Sequence, residues 1–191
     1  MVGATDRLLT LQEFLALPKS DARWEYVAGR AVAKMAPKYH SIRLQRALED
    51  LFEAWSIDRG RAEREWLTAL VRAGENWAPL PDFSFVSFER LPREWNENAA
   101  CPAIPELVVE VVSPGQSFGE LAKKAEDYLA AGVDRVWIID PVERTLTVFF
   151  GDLAPRTFAD EQPIIDSLFP GLEFSVAALF GRAGLPGAPS S

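Results

Sequence analysis

The chain has 191 residues, 48% of them hydrophobic, and its 28 acidic against 20 basic side chains give a formal charge of −8. That is enough for one sizeable core but short of two, while no apolar run approaches the roughly 20 residues that cross a bilayer. With one Cys (Cys101) and one His (His40), an internal disulfide and a Cys/His zinc cluster are excluded, and with no apolar signal core in Met1–Arg7 a cytoplasmic protein that is not exported and has no membrane partner is expected. The negative charge also argues against a broad electrostatic footprint for nucleic acid, although acidic residues gathered around a divalent metal would add to the same count.

In chain order, Thr10 and Glu13 have capping-box spacing and predict a short helix reaching about Leu17, before Pro18. Trp24–Val27 and Ala31–Met35 flank Ala28-Gly29-Arg30 and read as a β-hairpin turning at Gly29. From Tyr39 to about Ile57, the spacing of Ile42, Leu44, Leu48, Leu51, Phe52 and Trp55 predicts the longest amphipathic helix. Arg59–Arg64 is rich in arginine and offers local contacts to a phosphate backbone. Strands are predicted at Trp66–Arg72 and Phe83–Phe88, separated by a turn at Ala73–Asn76, and a polar loop follows from Glu89 to Pro102. The β-branched run Leu107–Val112 suits a strand covered on both faces. A helix from Ser117 to Ala131 ends at Gly132, and Val136–Asp140 and Thr145–Phe150 add two strands. The order implies an α/β protein, an α+β arrangement in which helices pack on one mixed sheet. Residues 8–180 are expected to form a single domain, with 1–7 and 181–191 as flexible termini.

Glu110 is the most informative residue, because a carboxylate among Leu and Val in a central strand needs a cationic or polar partner. A structural ion pair with an arginine would satisfy it, as would a functional site. Asp82 follows Pro81 at the entrance of a neighbouring strand; Pro-Asp alone is often only a turn, but two such carboxylates can hold a hard cation such as magnesium through oxygen ligands. On the helix after Ser117, Lys124 shares a face with Leu121 and Tyr128 and should point inward, whereas Lys123 aligns with Glu120 and Asp127 toward water. Lys124 is then either a charge stabiliser for a phosphoryl transition state or a snorkelling cover for apolar surface. Glu25 reads as a solvated strand residue or a site member, and His40 as a helix-start hydrogen-bonder or a site member. Trp66, Trp77 and Trp95 read as packing residues rather than base-stacking platforms.

Taken together, Thr10–Leu15, Trp24–Arg30, His40, Pro81-Asp82, Pro105–Pro114, Lys124–Tyr128, Ala131–Val133 and Val136–Pro141 closely resemble the Uma family, bacterial proteins classed with the restriction endonucleases of the PD-(D/E)XK superfamily. The resemblance implies a restriction-endonuclease-like core, an N-terminal helix plus hairpin, and a divalent-metal site, Mg2+ or Mn2+, at Asp82 and Glu110. It also implies a Lys two positions after Glu110, where this chain has Val112; Lys124 would fill that vacancy from the helix. Glu25 and His40 match family positions near the site.

The expectation is therefore a magnesium-dependent endodeoxyribonuclease with DNA as substrate, Asp82 and Glu110 as metal ligands, and Lys124, Glu25 and His40 completing the catalytic set. The rival reading is a catalytically inactive nuclease fold that binds DNA or a protein partner, and a third is an acidic homo-oligomer, dimeric or higher, with a structural role.

Overall fold

A computed structural model describes residues 7–18, 23–185 and 187. Thr10 caps the first helix, α1 (Leu11–Leu15), with the anticipated reciprocal bonds to Glu13. The hairpin consists of β1 (Trp24–Val27) and β2 (Arg30–Ala33). Its two-residue loop places Ala28 at φ 48° and Gly29 at φ 79°, the positive values that let a tight turn match strand twist. The long helix is α2 (Tyr39–Ser56). Next come β3 (Gly60–Arg64), β4 (Leu70–Arg72), β5 (Glu75–Ala78), β6 (Phe83–Ser87) and β7 (Leu107–Val111). Helix α3 (Phe118–Ala130), capped by Ser117, leads to β8 (Arg135–Asp140) and β9 (Thr145–Phe150). The chain then forms β10 (Arg156–Ala159), β11 (Pro163–Ile164), β12 (Phe174–Ser175) and α4 (Val176–Arg182).

Among the described residues the strands form three sheets rather than the one expected. A six-stranded mixed sheet runs β10-β9-β8-β7-β6-β3, and a four-stranded antiparallel sheet, β2-β1-β5-β4, contains the hairpin. A short pair, β11-β12, completes the set. Strands β7 and β8 are parallel and α3 connects them, as a parallel pair requires. Strand alternation sends Phe83, Phe85, Val109, Val111, Trp137 and Ile139 to one face, where they pack with Leu44, Leu48 and Phe52 of α2 and with α4. The opposite face presents Val108, Val136 and Ile138 to α3 and to Leu70 and Trp77 of the smaller sheet. Asp82, Ser84 and Glu110 are buried on that second side.

Several sequence expectations change. The arginine-rich stretch is strand β3, paired with β6 along its length, and its charges are used internally. Arg61 donates to the carbonyls of Leu91, Pro92, Arg93 and Trp95, and Arg64 pairs with Glu49 at 2.9 Å. The turn before β5 is only Ala73-Gly74, both at positive φ, so Glu75 and Asn76 are strand residues. Gly181 and Arg182 belong to α4, and Ala183 and Leu185 are buried; the ordered chain thus runs past the expected boundary at 180. Residues 1–6, 186 and 188–191 of the two expected flexible ends lie outside the described residues.

Gly60 is required by a close approach at the start of β3. A Cβ there would lie 2.2 Å from the Val86 carbonyl oxygen and 2.7 Å from the Phe85 ring. Backbone cannot yield as a flexible side chain can, so Gly60→Ala is expected to destabilise the fold by about 1–3 kcal/mol, the usual scale of overpacking. Urea denaturation followed by tryptophan fluorescence measures this; an unchanged midpoint would show that β3 shifts without cost.

Candidate active site

The strand carrying Glu110 is fully buried, and Glu110 itself is 3% exposed. A carboxylate so placed must find donors within the protein, and they come from separate elements. Lys124 on α3 lies 2.9 Å from Glu110 Oε1, and the Tyr128 hydroxyl, one helical turn further on, donates to the same oxygen at 2.8 Å. The other oxygen, Oε2, faces Lys34 Nζ at 3.7 Å. Lys34 follows β2 directly; it also pairs with Asp82 Oδ1 at 2.8 Å and donates to the Leu80 carbonyl. Asp82 Oδ1 accepts further from Gln45 of α2 at 3.1 Å.

Asp82 Oδ2 has a backbone task. Strand β7 continues past the start of β6, so the Val111 N–H has no strand partner on that side; Asp82 Oδ2 accepts it at 2.7 Å. Glu25 acts similarly on the Pro79-Leu80-Pro81 connection between the two larger sheets. Its Oε1 accepts the Leu80 N–H at 3.1 Å and Lys124 Nζ at 2.8 Å.

The structure therefore brings Asp82, Glu110, Lys124 and Glu25 into one cluster with Lys34. His40 is not part of it. It is exposed in the first turn of α2, forms no hydrogen bond or ion pair among the described residues, and lines a cavity of about 530 Å³ with Ser41, Val112 and Ser113. The sequence reading passed over Lys34, Tyr128 and Gln45 as functional residues. Lys34 had a signal: the register Glu25↔Val32 puts alternate residues of the second hairpin strand, Val32 and then Lys34, on the Glu25 side. Tyr128 had one too, four residues after Lys124 on the same helical face.

The charges are unequal in their response to burial. Burial disfavours the Glu110 carboxylate, but Lys124 and Lys34 outweigh it and hold the pKa below the usual glutamate value. For Asp82 burial prevails over Lys34, and the nearby Glu110 adds to it, so its pKa is raised. Burial works against both ammonium groups as well, yet Glu110 and Asp82 raise the Lys34 pKa, and Glu110 and Glu25 raise that of Lys124. Burial, reinforced by Glu110, pushes the Tyr128 hydroxyl well above the tyrosine range. It is held as a neutral donor.

Among the described residues no group of three or more His, Cys, Asp and Glu side chains forms a metal cage. The donor chemistry nevertheless fits a hard divalent cation of the magnesium type, which binds through one or two carboxylates and keeps several waters. Asp82 and Glu110 are oxygen donors from adjacent strands that already share one cation, the Lys34 ammonium. Three carboxylates and two ammonium groups also leave the cluster with one net negative charge.

A protein-family model described as Uma2, "Putative restriction endonuclease", matches residues 11–177. A solved structure, described as a putative nuclease belonging to DUF820 from Anabaena variabilis ATCC 29413, is similar at 26% identity and a TM-score of 0.75; the alignment covers 92% of this chain and 99% of that one. A cryo-EM structure of a DrdV–DNA complex aligns at 14% identity and a TM-score of 0.33, over 76% of this chain and 94% of that one. No functionally curated protein matches the sequence.

The opposite shifts of the two carboxyls give opposite pH dependences. A depressed pKa means that ionised Glu110 stabilises the fold above its ordinary 4.5, a contribution lost as pH falls through the lower folded value. A raised pKa means that protonated Asp82 stabilises the fold relative to the unfolded chain. That contribution is complete below its ordinary 3.8 and is lost as pH rises through the higher folded value. At pH about 7, Glu110→Gln is therefore expected to cost about 3–5 kcal/mol, the scale for breaking a buried pair, whereas Asp82→Asn is expected to cost less, because ionised Asp82 carries a burial penalty that its partners do not outweigh. Thermal melts between neutral pH and about 4 test this, since both differences from wild type should shrink on acidification. Equal destabilisation by the two variants at neutral pH would overturn it.

Proposed function

The chain belongs to the Uma2 family, described as "Putative restriction endonuclease", and on that premise we propose that it hydrolyses DNA phosphodiester bonds with a divalent cation, Mg2+ or Mn2+, held by Asp82 and Glu110. One observation carries the reading. Two buried carboxylates from neighbouring strands share a cation, and a second ammonium stands on the remaining oxygen of Glu110.

The protein's own groups divide the work. Asp82 and Glu110 supply anionic oxygen, aimed by the Val111 N–H, Gln45 and the Tyr128 hydroxyl. Lys124 provides fixed positive charge for the phosphoryl oxygens as negative charge builds on them, the role that the vacant motif position at Val112 leaves open. Glu25 is a positioning residue: it holds Lys124 alongside Glu110 and fixes the Leu80 backbone. A divalent cation, when bound, adds charge at the phosphate and makes water a better nucleophile at neutral pH. His40 is assigned to the neighbouring cavity as a contact for the nucleic-acid strand, outside the charge cluster.

A second reading, DNA or protein binding without cleavage, draws on a separate observation: every oxygen of Asp82 and Glu110 already faces a donor or an ammonium. A cleavage assay on duplex and single-stranded DNA with magnesium or manganese separates the two. Wild type is expected to cleave only with metal, Glu110→Gln to be inactive, and Lys124→Ala to lose about 100-fold or more, each variant checked for folding by circular dichroism. Full activity in folded Lys124→Ala would remove the lysine from the mechanism. No cleavage by wild type under any condition would leave the binding reading.

A further inference from the structure

Lys34 occupies the position between Asp82 and Glu110 that a shared cation would take. We propose that its ammonium is a built-in plug: it bridges the two carboxylates in the metal-free protein and must withdraw before a divalent cation can take both, so that cation binding is coupled to release of the end of the hairpin. This rests on the reading of Asp82 and Glu110 as the cation ligands.

Three observations support withdrawal of Lys34 in particular. The first is the division of Glu110, whose Oε2 faces Lys34 while Oε1 serves Lys124 and Tyr128. One ammonium can leave without disturbing the other. The second is the mounting of the two lysines. Lys124 rises from the middle of a thirteen-residue helix and is clamped between two carboxylates. Lys34 instead sits just beyond edge strand β2, and residues 34–38 that follow have no regular structure. Among the described residues its backbone meets the hairpin through its N–H, which donates to the Arg23 carbonyl at 2.8 Å. The third is charge. With Lys34 in place the cluster carries one net negative charge; without it, three carboxylates against Lys124 leave two, which a divalent cation neutralises. Desolvated charge is tolerated where it is matched, and both end states are nearly matched. The device also fits the scarcity of ligands, since a cation entering here finds two carboxylates freed at once rather than a standing cage.

A closed plug lowers apparent affinity by the fraction of molecules in which it is open. Calorimetric titration with manganese chloride should thus find Lys34→Met binding about tenfold or more tightly than wild type, the effect of a competent state populated at about 10% or less. Binding by wild type that is equalled or weakened in Lys34→Met would overturn the plug while leaving the metal site standing. Absence of binding in both proteins would defeat the metal-site reading itself, and the plug with it. Should Lys34→Met fail to fold, wild type provides the second measurement. Acetylation of Lys34 by an amine-reactive reagent, read by mass spectrometry, should be slow without metal and become about as fast as at exposed Lys123 with saturating Mg2+, whereas Lys124 stays protected. A Lys34 rate unmoved by Mg2+, under conditions where manganese binding is measured, would equally overturn the proposal.

Discussion

The carboxylate of Glu110, buried in the middle of the central sheet, is the constraint around which the rest is organised. Desolvating one ion costs several kcal/mol unless attraction and hydrogen bonds offset it, and no single neighbour on β7 can do so. The partners arrive from two directions, Lys124 and Tyr128 from α3 and Lys34 from the end of the hairpin, and Lys34 in turn is held by Asp82 at the connection between the two larger sheets. Each is fixed in turn by something else, so the cluster ties both sheets and two helices together. On the proposed reading, stability and chemistry are thereby supplied by the same groups.

The elements with a clear period were legible in the sequence. Helix α2 and strands β6 to β9 emerged because a long apolar stripe or a β-branched run records its burial in residue type. Strand β3 did not, since Arg61, Glu63 and Arg64 disguise a strand whose pairing is set by the backbone of β6 and by Gly60. The two-residue strands β11 and β12 and the short α4 carry too few residues for any period to register. For the charge cluster, face arguments were enough to bring Glu110, Asp82 and Lys124 to one side of the sheet. They could not give Lys34 a role, because its position depends on how the hairpin docks against a sheet more than 40 residues away in sequence, an |i−j| of 48 to Asp82. His40 shows the converse: a resemblance marks the neighbourhood but not whether the side chain enters the charge cluster.

The acidic balance also acquires a structural meaning. Arg61 anchors the loop after β6, Arg90 bridges Glu106 and Asp134, Arg135 pairs with Asp166, and Arg72 with Asp127. These arginines are engaged within the fold and are not displayed as a basic stripe. With a net charge of −8, affinity for a polyanion cannot rest on general counterion release. It would have to come from local contacts instead.

The chain order of the cluster sets when it can exist. Lys124 and Glu25 are 99 residues apart, and closing so long a loop has a large entropic cost. During synthesis the hairpin, Asp82 and Glu110 all emerge before Lys124, so a growing chain holds three carboxylates and only one of their two ammonium partners until α3 has been made. The six-stranded sheet cannot bury Glu110 favourably before that moment. The last members of the cluster, Lys124 and Tyr128, are nevertheless made before β8 to β10 and α4, so the charges of the cluster are all present when the side chains that complete the opposite core arrive.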